Sequence, residues 1–133
     1  MLTSLRMRLW LVLAGLSGAG AVAAEAFARH RLDAQADAHA IELIGIASKY
    51  QGFYALSLIA VLILAEHVGI GFARRTVLVA GWAFTIGLVL FCGGLYAIVG
   101  GAPPSLAPIV PTGAALFVLG WLALIITALV GNR

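Results

Sequence analysis

The side chains that could do chemistry are concentrated between positions 25 and 49. Glu25 and Arg29 are four residues apart, so a helix would place the carboxylate beside the guanidinium. His30, Asp33 and Asp37 follow at spacings of three and four, and a continuous helix would put one imidazole and two carboxylates on one face. Such a triple could hold a divalent metal ion, but no fourth ligand is evident. We therefore expect a solvated face here and no metal site.

Glu25 stands out because it lies beside the apolar end of a hydrophobic run. An ionised carboxylate at the edge of a membrane span needs a partner, and either Arg29 or Lys49 could provide one. We expect structural pairing of this carboxylate. A proton or ion relay is the alternative that remains open.

The elements that must position these residues are membrane spans. The chain is 63% hydrophobic and only 10% charged, with a mean hydropathy of +1.11, whereas an average soluble domain is about 25% charged. The run TVLVAGWAFTIGLVLFCGGLYAIV, at 76–99, carries no charged side chain. Because a helix rises about 1.5 Å per residue, this run crosses a hydrocarbon layer of roughly 30 Å. A water-soluble fold is excluded, and the sequence predicts an all-α integral membrane bundle.

Four spans are predicted within a single domain, at approximately 9–28, 44–65, 76–99 and 112–130. The first resembles a secretory signal, with Arg6 and Arg8 before an apolar core and a plausible cleavage site near Ala24. Because the apolar run continues into Phe27 and Ala28, we expect a retained anchor instead. Between the first two spans we expect an amphipathic segment that presents His39, Glu42, Ile46 and Lys49 on one face and, on the other, Ile41, Ile44 and either Ala47 or Ser48.

Small residues predict where the helices cross closely. In the first span, Gly15 and Ala19, or alternatively Ala14 and Gly18, have the spacing that lets another helix approach. In the third and fourth spans we expect crossings at Gly93, Gly94, Gly113 and Gly120. The fourth span is expected to begin at Thr112, as an N-cap after Pro111. Trp121 should face the bundle, where its indole N–H can find a carbonyl or hydroxyl; lipid exposure is the alternative.

The basic residues indicate orientation. Although the net charge is +3, the cations lie at the ends of the apolar runs and form no patch for nucleic acid. With four spans, one side carries Arg6, Arg8, Arg74, Arg75 and Arg133, and the other carries Arg29, Arg31 and Lys49 among several acids. Positive residues favour the cytoplasm, so we expect both termini there, in the bacterial inner membrane.

Sequence motifs for known chemistry are missing from the chain. It contains no P-loop, dinucleotide fingerprint, HExxH or GxSxG motif, and so predicts neither an enzyme nor a cofactor. The single cysteine, Cys92, cannot form an internal disulfide. We expect it to act as a small apolar residue in a helix interface.

Several stretches resemble the family known as domain of unknown function 423, small four-helix proteins whose eukaryotic members are called transmembrane protein 256. The segment Glu25-Ala26-Phe27-Ala28-Arg29-His30-Arg31-Leu32 resembles the family's Gly-Ala-Phe-Gly-Ala-His-Gly-Leu signature, matching at Phe27, His30 and Leu32. The segment Tyr50-Gln51-Gly52-Phe53-Tyr54 resembles its second signature, with Tyr54 where the family usually has histidine.

The resemblance extends over nearly the whole chain. It includes Gly87 with Phe91-Cys92-Gly93-Gly94-Leu95-Tyr96 in the third span, and Pro111-Thr112-Gly113-Ala114, Phe117 and Gly120-Trp121 in the fourth. It implies a multi-pass protein of the bacterial cytoplasmic membrane and no particular activity. The tyrosine in place of the second histidine argues against a mechanism that needs a histidine pair.

Three classes of function remain open from the sequence. The favoured one is a non-enzymatic accessory, assembly or lipid-interacting bundle, whose partners are membrane lipids and either a larger membrane complex or further copies of itself. The second is a small oligomeric channel or carrier that uses Glu25, His30 and Tyr54 around a shared path. The third is a membrane enzyme acting on lipid or quinone, with His30 as the acid–base group.

Overall fold

The computed structural model describes residues 4–131, and their secondary structure is helical. The four long helices are α1 (Leu5–Arg31), α2 (Ala38–His67), α3 (Phe72–Val99) and α4 (Ile109–Val130), with a short 3-10 helix at Pro104–Leu106. All four are long and apolar enough to cross a membrane. Helices adjacent in the chain pack side by side, α1 on α2, α2 on α3 and α3 on α4. The predicted all-α, four-span bundle is confirmed; Arg133, used in the charge count, lies outside the described residues.

All four helices begin before the predicted spans; α1 begins at Leu5 and α3 at Phe72, each one turn early. α2 begins at Ala38, before the expected position 44, because the amphipathic segment is part of the same helix. Its Ile44 and Ala47 are buried while Glu42 and Lys49 are exposed, as the pattern predicts.

α4 begins at Ile109, so the prediction of Thr112 as its N-cap is wrong. Pro111 lies in the first turn of α4, where a backbone N–H would have no carbonyl partner within the helix. A proline there therefore costs no helical hydrogen bond. The hydroxyl of Thr112 instead donates to the carbonyl of Pro108, 2.9 Å away.

The acidic residues between α1 and α2 form a capped turn. The backbone N–H groups of Gln35 and Ala36 donate to Asp33 Oδ1 at 2.9 and 2.8 Å, and the N–H of Asp33 donates to Asp37 Oδ2 at 2.9 Å. The N–H groups of Ala36 and Gln35 hold the pKa of Asp33 below its ordinary value. Because α1 ends before this turn, the continuous helical face that would align His30 with the two aspartates does not exist.

The core is centred on α3. Phe84 and Val77 of α3, Leu58 of α2 and Trp10 of α1 are completely or almost completely buried. Small residues allow this close packing: a Cβ added at Gly81 would lie 2.5 Å from the Trp10 ring. The same core includes Phe117 and Ala123 of α4, so it joins all four helices.

The structure separates the predicted packing glycines into two groups. A Cβ at Gly113 would lie 2.5 Å from the Phe91 nitrogen, one at Gly94 would lie 2.8 Å from a Val110 methyl, and one at Gly120 would overlap the Phe84 ring. These three glycines lie at close crossings between α3 and α4.

The other predicted crossing positions lie on open surfaces. Gly15 and Ala19 are exposed, and a Cβ at Gly15 or Gly93 would meet no atom within 4 Å. The alternative pair contacts α2, with Ala14 buried and Gly18 facing Ala55. Sequence spacing cannot distinguish the two pairs, because adjacent positions in one helix have the same small-residue spacing.

Candidate functional site

A groove runs between the last turns of α1 and the first half of α2. It is a shallow, open depression with a volume of about 660 Å³, and we call it the α1–α2 groove. It is lined by small, apolar and charged side chains: Ala21, Val22, Glu25, Ala26 and Arg29 of α1, and Gly45, Ser48 and Lys49 of α2.

Glu25 is the polar centre of this groove. Its Oε1 accepts a hydrogen bond from Arg29 Nε at 2.9 Å, the predicted pairing four residues along the helix. Its Oε2 lies 2.9 Å from the hydroxyl of Ser48, which is also 3.1 Å from the Gly45 carbonyl. The carboxylate therefore links α1 to α2. Sequence reasoning missed Ser48 because a contact between helices leaves no local spacing signal.

Lys49 lines the same groove but has no ion pair within residues 4–131. His30 lies exposed in the last turn of α1, outside the groove, and makes no hydrogen bond to any described residue. The structure thus brings together Glu25, Arg29 and Lys49, and leaves the imidazole apart from them.

A second polar contact, centred on Gln51, links three helices. Its Nε2 donates to the Ser17 carbonyl at 3.0 Å, and the Ser17 hydroxyl donates to the Gln51 carbonyl at 3.0 Å. The hydroxyl of Tyr96 on α3 donates to Gln51 Oε1 at 2.6 Å. Sequence reasoning did not propose this residue, although a lone amide inside an apolar run is the signal that could have identified it.

Tyr54 lies on a different side of α2 from Ser48. Its hydroxyl accepts a hydrogen bond from Trp121 Nε1 at 2.9 Å, and its ring stacks on Phe117 with centroids 3.7 Å apart. The indole thus has the hydroxyl partner that was expected, although its ring remains 40% exposed. Tyr54 is six residues beyond Ser48, about 240° around the helix. It therefore packs towards α4, whereas Ser48 faces α1.

The remaining polar groups of the spans include two further linked pairs. The hydroxyls of Thr76 and Thr127, both buried, lie 2.6 Å apart between α3 and α4. Cys92 is buried, as expected, and its thiol donates to the Ala47 carbonyl at 3.3 Å. The Trp10 indole N–H is the one fully buried side-chain polar atom in residues 4–131 without a partner.

Comparison with known proteins connects this architecture to a family. Residues 24–114 match the family described as protein of unknown function (DUF423). This match covers α2 and α3 completely, and it includes the end of α1 and the start of α4. It therefore contains the residues of the α1–α2 groove from Glu25 onward.

Individual relatives cover most of the chain. A UPF0382 membrane protein of Haemophilus influenzae is 36% identical over 115 residues, spanning 86% of this chain and 89% of the relative. One from Staphylococcus aureus strain bovine RF122 is 32% identical over 90% of this chain and 94% of its own length. The Bacillus subtilis protein YwdK is 29% identical over 92% of this chain and 97% of its own. No solved structure matches. The chain therefore belongs to the DUF423 family, the UPF0382 membrane proteins.

Proposed function

We propose that this protein is a non-enzymatic bundle of the bacterial cytoplasmic membrane that acts by binding membrane lipids. The observation that carries the proposal is the arrangement of polar side chains within the spans. Gln51, Tyr54 and Thr76 each bond to a side chain on another helix. Ionisable and polar groups inside a membrane are the usual components of transport paths and catalytic sites. Groups that bond to one another across helices act instead as structural links.

The placement of the other candidate residues supports the same proposal. A channel or enzyme built on Glu25, His30 and Tyr54 requires them to share a path or a cleft. Tyr54 is buried against α4, His30 is exposed at the end of α1, and Glu25 is bound to Arg29 and Ser48. An acid–base group must lie within hydrogen-bond reach of its substrate and its partner groups. In a single chain these three residues do not converge.

Lipid contact is favoured by the position of the charged groups. Arg29 borders the α1–α2 groove in the last turn of α1, where a bilayer places its headgroups, and the long side chain of Lys49, about three turns along α2, can extend towards them. The apolar outer faces of α1 and α4 are the surfaces that acyl chains would cover.

We further propose that both termini face the cytoplasm. In the described bundle, the end that carries Arg6, Arg8, Arg74 and Arg75 has few acids, whereas the opposite end mixes its cations with Asp33, Asp37 and Glu42. Single cysteines at positions 4, 35, 69 and 105 in a Cys92→Ala background test this with an impermeant maleimide added to intact cells. We expect labelling at 35 and 105 only. Labelling at 4 and 69 alone would reverse the proposed orientation.

The function is tested by extracting the protein in native-lipid nanodiscs and identifying what co-purifies by mass spectrometry. We expect phospholipid that stays bound after the protein is released from the nanodisc, no lipid turnover by the purified protein and, after reconstitution into vesicles, no ion flux above that of protein-free vesicles. Lipid turnover that disappears in His30→Ala would contradict the proposal in favour of an enzyme. Ion flux that depends on protein oligomers would contradict it in favour of a channel. A stoichiometric membrane protein partner without bound lipid would replace lipid binding by an assembly role.

A further inference from the structure

The floor of the α1–α2 groove is made of small side chains with open space above them. Ala21, Ala26 and Gly45 contribute to its lining, and a Cβ added at Gly45 would meet no atom within 4 Å. This differs from Gly94, Gly113 and Gly120, where a neighbouring helix occupies the space that a side chain would fill. The space above Gly45 is therefore unfilled by the protein, and in a membrane it must be filled by something else.

The rim of the groove carries an excess of positive charge. It holds two cations, Arg29 and Lys49, and one carboxylate, Glu25. The carboxylate is bonded to Arg29 Nε and to the Ser48 hydroxyl, so both of its oxygens are engaged. The Arg29 side chain is 73% exposed and can donate from its terminal nitrogens, while Lys49 has no ion pair within residues 4–131. One unit of positive charge remains available at the rim.

Arg29 lies in the last turn of α1, and Lys49 lies about three turns along α2 from Ala38. A bilayer whose headgroups lie at the end of α1 would place a phosphate beside Arg29, and the long, flexible side chain of Lys49 can extend towards it. At this level a phosphate can reach the rim while its acyl chain follows the apolar floor towards the bilayer centre. Arginine and lysine are the side chains that bind phosphate oxygens through charge-assisted hydrogen bonds.

We infer that the α1–α2 groove binds one anionic phospholipid. Its phosphate accepts hydrogen bonds from Arg29 and Lys49, and one acyl chain lies over Ala21, Ala26 and Gly45. This inference rests on the proposed lipid-binding function and identifies where the lipid binds and which headgroup charge it carries. A singly charged anionic headgroup matches the one unbalanced cation.

The test uses the whole protein in nanodiscs of phosphatidylglycerol and phosphatidylcholine in equal amounts, followed by native mass spectrometry. We expect one retained phosphatidylglycerol per chain, at least about fivefold in excess over retained phosphatidylcholine. Lys49→Gln should reduce retention several-fold because it removes the positive charge that strengthens the hydrogen bond to phosphate. Gly45→Leu should abolish it, because the new side chain occupies the floor of the groove, starting from a Cβ that meets no protein atom within 4 Å.

Two matched variants control for general effects. Gly15→Leu adds the same side chain to an exposed helical position outside the groove, and Arg31→Gln removes a cation at the same end of α1 that does not line it. Both should retain the lipid as the unchanged protein does. Equal retention of the two lipids, or unchanged retention in Gly45→Leu and Lys49→Gln, would overturn this groove assignment. Lipid turnover or ion flux would instead overturn the proposed function, so the two failures are distinguishable.

Discussion

The α3–α4 pair and the α1–α2 pair associate by different means. α3 and α4 approach closely at Gly87, Gly94, Gly113 and Gly120, and the rings of Phe117 and Phe84 lie against Gly87 and Gly120. α1 and α2 are linked through Ser17 and Gln51 and through Glu25 and Ser48, and they leave a groove open between them. In lipid, apolar surface alone gives helices no reason to associate. Close packing and polar links are the two available solutions. α3 and α4 combine close packing with the contact of Thr76 and Thr127, whereas α1 and α2 leave a groove between them.

The largest expected effect comes from adding volume to the α3–α4 pair. A Cβ at Gly87 would lie 2.7 Å from the Phe117 ring and 3.0 Å from the Gly113 carbonyl, so Gly87→Leu forces the two helices apart. We expect a loss of about 3 kcal/mol in the free energy of unfolding, the upper part of the range for overpacked cores. Steric-trapping measurements in bicelles can determine it. The control is Gly93→Leu on the same helix, where space is open and the loss of unfolding free energy should be small. Equal losses in Gly87→Leu and Gly93→Leu would contradict the close packing of α3 against α4.

A smaller effect is expected when the Gln51 link is removed. Gln51→Leu deletes the bonds to the Ser17 carbonyl and the Tyr96 hydroxyl. Interhelical hydrogen bonds in membrane proteins contribute about 0.6 kcal/mol on average, so we expect a loss of about 1 to 2 kcal/mol in unfolding free energy. Thr85→Val provides the comparison, because this hydroxyl bonds only within its own helix, to Gly81. A greater loss in Thr85→Val than in Gln51→Leu would show that the polar link is unimportant.

The hydrogen bond between Trp121 and Tyr54 should contribute less. Tyr54→Phe and Trp121→Phe each remove one partner while keeping an aromatic ring in place. A double-mutant cycle of unfolding free energies should give a coupling of about 0.6 kcal/mol. Coupling indistinguishable from zero would mean that ring packing alone holds α2 against α4 at this point.

The smallest effect concerns the turn between α1 and α2. Because hydrogen bonds from Ala36 and Gln35 lower the pKa of Asp33 in the folded protein, its ionised form stabilises the turn. This contribution is present above the unfolded pKa, about 3.9, and is lost as the pH falls through the lower folded value. The amide NMR shifts of Gln35 and Ala36 should titrate with a midpoint below about 3.9. Asp33→Asn should abolish that titration, and a midpoint above the ordinary value would refute the turn geometry.

Sequence reasoning succeeded where the signal was local. Hydropathy identified four spans, and the four-residue spacing identified the ion pair of Glu25 with Arg29. Sequence reasoning placed the starts of α2 and α4 too late. The first turn of α2 is polar and resembles a loop, and the first turn of α4 contains a proline, which usually marks a position before a helix.

Contacts between helices could not be derived in the same way. Ser48 and Gln51 bond to residues 23 and 34 positions away in α1, and no spacing rule connects them. Gly93 and Gly94 are adjacent in the sequence, yet one faces open space and the other faces α4. Only the rotation of α3 about its axis determines which of the two packs, and that rotation is set by the whole bundle.

The contrast between a closed helix pair and an open groove can be tested with one pair of substitutions. Gly113→Ala places a Cβ 2.5 Å from the backbone nitrogen of Phe91, which cannot move aside, whereas Gly45→Ala places one in open space. Alanine also favours a helix over glycine by about 1 kcal/mol in water. Measured in one bicelle system, the unfolding free energy should fall in Gly113→Ala and stay equal or rise in Gly45→Ala. A loss of similar size in both variants would contradict the account.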